Sequence, residues 1–217
     1  MASTIDLPRI KVCGVSSFAD VAGALQLGVG AVGFVDHEDS IRHVESPDIR
    51  QIVRRLPRIV LSVIVMVDAT RRHADSMLLS TGARAVQLSG LERPVEWRDF
   101  ELPILRRIPV ADGAEEEMER WRGIAAGYVL DHPHAAGGAG WAVDLERAHA
   151  LARLGPCLLS GGLDAESVER AVAVVRPWGV DANARLETTR GVKDPRRVEA
   201  FVKAASRALA AVHGKAC

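Results

Sequence analysis

A cysteine closes the short apolar run Arg9-Ile10-Lys11-Val12-Cys13-Gly14, and an aspartate closes a second, Gly127-Tyr128-Val129-Leu130-Asp131. Cysteine is usually a small core hydrophobe. At a strand end with a glycine directly behind it, the same thiol can become a thiolate that moves a proton. A carboxyl group at another strand end supplies the opposite capacity, so Cys13 and Asp131 read together as a proton acceptor and a proton donor. An anion site stands beside them in the sequence. Leu158-Leu159-Ser160-Gly161-Gly162-Leu163 ends an apolar run and leads into a helical segment, so that the N–H groups of Gly161 and Gly162 are placed to face a phosphate. The loop Asp181-Ala182-Asn183-Ala184-Arg185 follows the next apolar run and can share that phosphate through Asn183, Ala184 and Arg185.

These residues need a scaffold that brings distant strand ends to one face. Short β-rich runs at 9–13, 31–35, 58–66, 83–88, 103–109, 127–131, 157–160 and 178–181 alternate with segments of helical period at 18–27, 47–56, 71–80, 113–121, 144–154, 164–175 and 195–212. The connection at 92–99 carries the weakest helical pattern. Eight βα units in 217 residues fit a compact α/β chain, a (β/α)8 TIM barrel forming a single domain over residues 1–217. No linker or low-complexity stretch marks a second domain. A doubly wound open sheet is the alternative, and it would leave the last strands needing other cover. In a barrel, the ends of strands seven and eight commonly hold phosphate together.

Composition narrows the function. The chain carries 28 Lys plus Arg against 28 Asp plus Glu, so no net field recruits nucleic acid or a membrane surface and any anion must be held by local charges. The three cysteines lack metal or disulfide spacing, which points to a reducing cytoplasm and no metal. Neither a signal-peptide pattern nor an apolar run of ~18 residues is present. Gly28-Val29-Gly30-Ala31-Val32-Gly33 matches a dinucleotide fingerprint in letters only. A helix precedes it and a strand follows, the reverse of what a pyrophosphate site needs, so these glycines read as a helix C-cap and turn away from the active face. His132 and His134 flank Pro133 without a partner spacing for metal and read as solvated. The acids Glu115, Glu116, Glu117 and Glu119 read as a solvated helix start.

Taken in order, Ile10-Lys11-Val12-Cys13-Gly14, Gly33-Phe34-Val35, Ser40-Ile41-Arg42-His43-Val44, Gln87-Leu88-Ser89-Gly90, Val129-Leu130-Asp131, Gly137-Gly138-Ala139-Gly140, Leu159-Ser160-Gly161-Gly162-Leu163 and Gly191-Val192-Lys193-Asp194 resemble the phosphoribosylanthranilate isomerase family of tryptophan biosynthesis. The resemblance spans nearly the whole chain. It implies a cofactor-independent Amadori rearrangement of a small phosphorylated anionic substrate, with Cys13 as general base, Asp131 as general acid and Arg42 meeting the anthranilate carboxylate. Gly161, Gly162 and the loop after Asp181 would hold the phosphate, in a monomer or homodimer. Asp131 must then be kept protonated to reach the ring oxygen, and Cys13 must ionise to remove the sugar C2 proton. Lys11 shares a strand face with Cys13, yet as an interior residue it can instead pair with an acid such as Asp181. The family pattern is broken at Ile41, Ser89, Ala139 and Asn183-Ala184-Arg185, where Arg185 either meets the phosphate or turns to an acid such as Glu187. The run Asp36-His37-Glu38-Asp39 suits an anionic substrate only if its acids point to solvent. Two alternatives follow: an isomerase of the same type acting on another amino-sugar phosphate, or a barrel that binds a phosphorylated ligand without turnover.

Overall fold

Alternation along each strand run sends every second side chain to one side, and in this chain those sides converge on a common axis. The computed structural model describes residues 7–134 and 141–214. Strands β1 (Ile10–Val12), β2 (Ala31–Asp36), β3 (Leu61–Met66), β4 (Ala85–Leu88), β5 (Ile104–Pro109), β6 (Gly127–Asp131), β7 (Cys157–Leu159) and β8 (Gly179–Ala182) form a closed parallel barrel in chain order. The closing seam sets Lys11 opposite Asp181 and Val12 opposite Ala182. That pairing rules out the open sheet.

Helices α1 (Ser46–Val53), α2 (Arg71–Thr81), α3 (Ala114–Arg120), α4 (Leu145–Ala152), α5 (Val168–Val175) and α6 (Pro195–His213) follow their strands. Several starts are capped as the sequence dictates: Thr70 accepts from His73 N–H, and Asp144 from the N–H groups of Glu146 and Arg147. Three expectations need correction. The segment 18–27 is not one helix but two 3-10 turns, Phe18–Asp20 and Leu25–Leu27. Gly23 lies between them, where a Cβ would come within 2.0 Å of Glu199 Oε1, so α6 presses directly on this stretch. The helix expected from 164 begins at Val168, because the Asp164 carboxylate captures Glu166 and Ser167 N–H in a turn of its own. The connection at 92–99 holds only the 3-10 turn Pro94–Trp97. A short antiparallel pair, β9 (Glu187–Thr189) and β10 (Val192–Lys193), follows β8 and has no counterpart in the sequence reading.

The barrel interior is graded. Its lower part is apolar, with Leu7, Ala31, Leu61, Val63, Ala85, Leu105, Val129 and Leu158 packed together. Two residues further along several of the same strands the inward positions turn polar: Gln87, Arg107, Asp131 and Ser160. The larger apolar cluster fills the space between strands and helices. Glu117 corrects the reading of the acidic helix start as solvated: its Oε1 accepts from Arg106 Nη2 at 2.9 Å and from Trp121 Nε1 at 2.9 Å.

Gly33 belongs to the glycine pattern that reads as a C-cap and turn, yet it lies inside β2, in the strand run at 31–35. Gly28, by contrast, is the left-handed C-cap of the turn before β2, with φ +105°. A Cβ on Gly33 would stand 3.0 Å from Cys13 Sγ and 3.2 Å from Lys11 Nζ. The missing side chain is what lets the thiol and the ammonium sit side by side. Gly33→Val should therefore destabilise the fold by about 1–3 kcal/mol through overpacking and raise the reactivity of the displaced thiol. Thermal unfolding and the rate of Cys13 alkylation are the checks; an unchanged melting temperature and alkylation rate would contradict this packing.

Candidate active site

The polar end of the barrel opens into a cavity of about 380 Å³. Cys13 and Asp131 both line it, and so do Arg42, Gly161, Gly162, Asn183, Ala184 and Arg185. Residues up to 172 positions apart in the chain thus share one chamber, each delivered by a strand end or the loop directly after it.

Cys13 is buried, and burial raises its thiol above the ordinary value; Lys11 pulls it down, Asp181 adds to the rise, and Lys193 again lowers it. Two lysines thus oppose the effect of burial on the sulfur. Burial likewise raises the Asp131 carboxyl, opposed by Arg107 and by His132 N–H, which donates to Oδ1 at 2.8 Å. Arg107 Nε stands 3.7 Å from Asp131 Oδ2, while its Nη2 donates to the carbonyls of His132 and Pro133 at 2.8 and 3.2 Å. A half-buried carboxyl of raised pKa that shares a cavity with a thiol is a workable acid and base pair.

Two buried charge clusters support them. Lys11 Nζ donates to Asp181 Oδ2 at 2.7 Å, so Lys11 is the interior residue that its strand parity allowed, and it is close enough to act on Cys13 as well. Burial opposes the Lys11 charge, yet Asp181 and Cys13 outweigh it and raise its pKa. In the second cluster Arg42 grips Glu187 with two bonds, Nε to Oε1 at 2.7 Å and Nη2 to Oε2 at 2.8 Å. Lys193 Nζ adds a bond to Glu187 Oε1 at 2.9 Å and holds Asn183 through Oδ1 at 2.7 Å. Gly191 N–H completes the cage around Glu187 at 3.0 Å. Burial alone would raise the Glu187 carboxyl, but these donors bring it down to about 2. The hairpin of β9 and β10 exists to make this fold-back, since it returns Lys193 beneath the loop that carries Asn183.

Gly161 and Gly162 adopt φ +92° and +66°, a left-handed pair that only glycine takes without strain. Among the described residues their N–H groups donate to no carbonyl or side chain, the state expected of an anion cradle. A Cβ on Gly161 would meet Trp141 O at 2.9 Å and approach Asp131 Oδ1 at 3.4 Å, so the cradle borders the acid. Glu187 is engaged by Arg42, Lys193 and Gly191, not by Arg185. Arg185 is exposed at the cavity, and the acid whose pKa it lowers is Asp164.

The acidic run also differs from expectation. Asp36 does not face solvent but pairs with His73 Nε2 at 2.7 Å, Glu38 is exposed, and Asp39 lines the cavity with His37. His132 is half-buried and packs edge-on against Trp141, with ring centroids 5.1 Å apart, so it is not simply solvated. Ser89 lines the cavity and receives a bond from Gln87 Nε2 at 3.3 Å. Ile41 is exposed and stands against Gly191. Gly137, Gly138, Ala139 and Gly140 lie outside the described residues.

A model of the N-(5'-phosphoribosyl)anthranilate (PRA) isomerase family matches residues 10–204, a span that contains the whole chamber. The chain belongs to the PRA isomerase family. An N-(5'-phosphoribosyl)anthranilate isomerase of Pseudomonas putida is 34% identical over 205 residues, covering 92% of this chain and 98% of that protein. The phosphoribosyl anthranilate isomerase of Thermotoga maritima superposes with a TM-score of 0.83 at 29% identity, over 92% of this chain and 98% of its own. A further crystal structure of the enzyme, in complex with reduced 1-(o-carboxyphenylamino)-1-deoxyribulose 5-phosphate, gives 0.81 at 28% identity and the same coverage. In this member of the family, sequence reasoning passed over Arg107 and the joining of Glu187 to Arg42 and Lys193. For Arg107 a signal existed: it follows Leu105 on the inward parity of β5, opposite Val129 and two residues short of the level of Asp131. For Lys193 the signal was the Gly191-Val192-Lys193-Asp194 motif, which gave no role because its fold-back depends on the Arg190-Gly191 turn.

Glu187 has a folded pKa far below its ordinary 4.5, so the stability it contributes is complete above about pH 4.5 and drains away as pH falls toward about 2. Glu187→Gln should cost about 3–5 kcal/mol at neutral pH, since Arg42 and Lys193 then lose a buried counter-charge. The variant and the wild type should converge in stability as the pH is lowered through that window. Urea unfolding across a pH series checks this; a constant difference at every pH would show that the carboxylate is not the source.

Proposed function

We propose that this chain, acting as one barrel domain over residues 1–217, isomerises N-(5'-phosphoribosyl)anthranilate to 1-(o-carboxyphenylamino)-1-deoxyribulose 5-phosphate. The observation that carries the reading is the single cavity in which a buried thiol, a half-buried carboxyl and a glycine cradle meet. In this reading Gly161, Gly162 and the loop Asn183-Ala184-Arg185 take the phosphate, and Arg42, anchored on Glu187, meets the anthranilate carboxylate. Asp131 gives its proton to the ring oxygen as the C1–O bond breaks, leaving an iminium between C1 and nitrogen. Its raised pKa keeps that proton available near neutral pH. The iminium acidifies C2–H, and Cys13 removes that proton as a thiolate, with Lys11 stabilising the sulfur charge. Carbon–hydrogen bonds are moved within one molecule, so the reaction is an aldose–ketose isomerisation, an intramolecular oxidoreduction that needs no cofactor.

Cys13 and Cys157 are free thiols, which suits a reducing cytoplasm. Among the described residues no helix is long and apolar enough to cross a membrane. Asp39 on the cavity wall favours a second reading, an isomerase of the same type that accepts a different amino-sugar phosphate, because an extra carboxylate there opposes a carboxylate-bearing substrate.

Loss of phosphoribosylanthranilate fluorescence on addition of the purified protein separates the two: turnover supports the first, and none with phosphate still bound supports the second. Within the first, Cys13→Ser and Asp131→Asn should each lower kcat by about 100-fold or more while leaving inorganic phosphate binding within a few-fold of wild type. Near-normal activity in either variant would sink the assignment of roles. Arg42→Ala should raise KM for the anthranilate substrate by at least about 10-fold and weaken inorganic phosphate little.

A further inference from the structure

Asp181 carries an oxygen that nothing in the barrel uses. Its Oδ2 holds Lys11, but Oδ1 is buried and has no hydrogen-bond partner among the described residues. The residue is 3% exposed and lines the same cavity as Cys13. A buried carboxylate oxygen without a donor carries a desolvation cost that a protein interior seldom tolerates, and its location on a ligand cavity says where the donor comes from. Lys11 is opposite Asp181 in the seam, and Cys13 is two residues beyond Lys11 on the same inward face. The orphan oxygen therefore stands beside the thiol that takes the C2 proton.

We propose that Asp181 Oδ1 accepts the hydroxyl on the substrate carbon that Cys13 deprotonates, and then removes that hydroxyl proton as the enolamine becomes the ketone. The inference rests on the isomerase reading and deepens it. After Cys13 has taken the C2 hydrogen, C1 and C2 share a double bond and C2 still bears O–H. In the closing step the O–H bond breaks toward Asp181, its electron pair forms C2=O, and the C1=C2 pair takes the proton held on Cys13. Hydrogen has moved from C2 to C1, and the thiolate is restored. The hydroxyl proton on Asp181 then passes through water to replace the one that Asp131 gave to the ring oxygen, so the protons balance over the cycle. Burial raises the Asp181 carboxyl above its ordinary value against the pull of Lys11, which makes its carboxylate a stronger base than an exposed one.

The test separates this late step from the early one. In deuterated water, Asp181→Asn should form product about 100-fold more slowly or worse, yet still exchange the C2 hydrogen of recovered phosphoribosylanthranilate with solvent. Cys13→Ser should lose both. Product formation within a few-fold of wild type in Asp181→Asn, or loss of exchange and product together, overturns the proposal. Because that variant leaves Lys11 buried beside an amide, a second measurement uses the wild type alone. It should bind reduced 1-(o-carboxyphenylamino)-1-deoxyribulose 5-phosphate at least about 10-fold more tightly than the analogue lacking the C2 hydroxyl. Equal affinities overturn the proposal. Failure of the wild type to turn over phosphoribosylanthranilate sinks the isomerase reading and this inference with it, whereas normal turnover with equal affinities sinks the inference alone.

Discussion

The ion pair between Lys11 and Asp181 is the constraint on which the rest of the barrel mouth depends. It spans the seam where the first and last strands meet, at 2.7 Å and with both side chains almost entirely out of water. Two charges in such a place are stabilising only when their geometry is good, and a one-residue slip of one strand at the seam would point its charge out of the barrel and leave the other buried without a partner. The pair thus fixes register. Register in turn fixes which side of β1 faces inward, and through it the position of Cys13. Gly33 completes the arrangement by withholding a side chain where sulfur and ammonium need room.

Charge in the upper barrel is distributed in two steps. Lys11 and Asp181 lie below the thiol; Arg42, Glu187 and Lys193 lie beside the loop of Asn183. Three cations face two carboxylates in these clusters, a local excess that suits a doubly anionic ligand on a chain whose formal charges otherwise cancel. Arg42 is not a loose surface arginine. Its bidentate hold on Glu187 fixes the guanidinium plane before any ligand arrives, which reduces the ordering that binding would otherwise require.

The barrel was legible in the sequence because each strand run ends in a change of chemistry. Apolar residues stop at Cys13, Asp131, Ser160 or Asp181, and glycine or a polar loop takes over. Regular helices were legible where a capping residue preceded an apolar stripe, as at Thr70 and Asp144. The first connection misled because its apolar spacing is helical, while Gly23 and the pressure of Glu199 come from a helix far along the chain. The same limit applies to the site. Cys13 and Asp131 announce themselves at strand ends, but the partnership of Glu187 with Arg42 joins residues 145 positions apart and leaves no local trace. Gly33 lay within a deceptive glycine pattern, in which Gly28 caps a turn and Gly33 leaves room for the thiol.

The distance in sequence between the two halves of the seam has a consequence for assembly. Lys11 and Asp181 are 170 residues apart, and α6, later still, covers the irregular first connection and packs on β1. During vectorial synthesis the thiol-bearing strand emerges first and waits, unpaired on one edge, until nearly the entire chain has been made. Its charged interior residue has no counter-ion in the interval. A half-made barrel therefore holds neither a set thiol nor a closed chamber, and catalytic competence arrives all at once, with the docking of the last strand and the helix behind it.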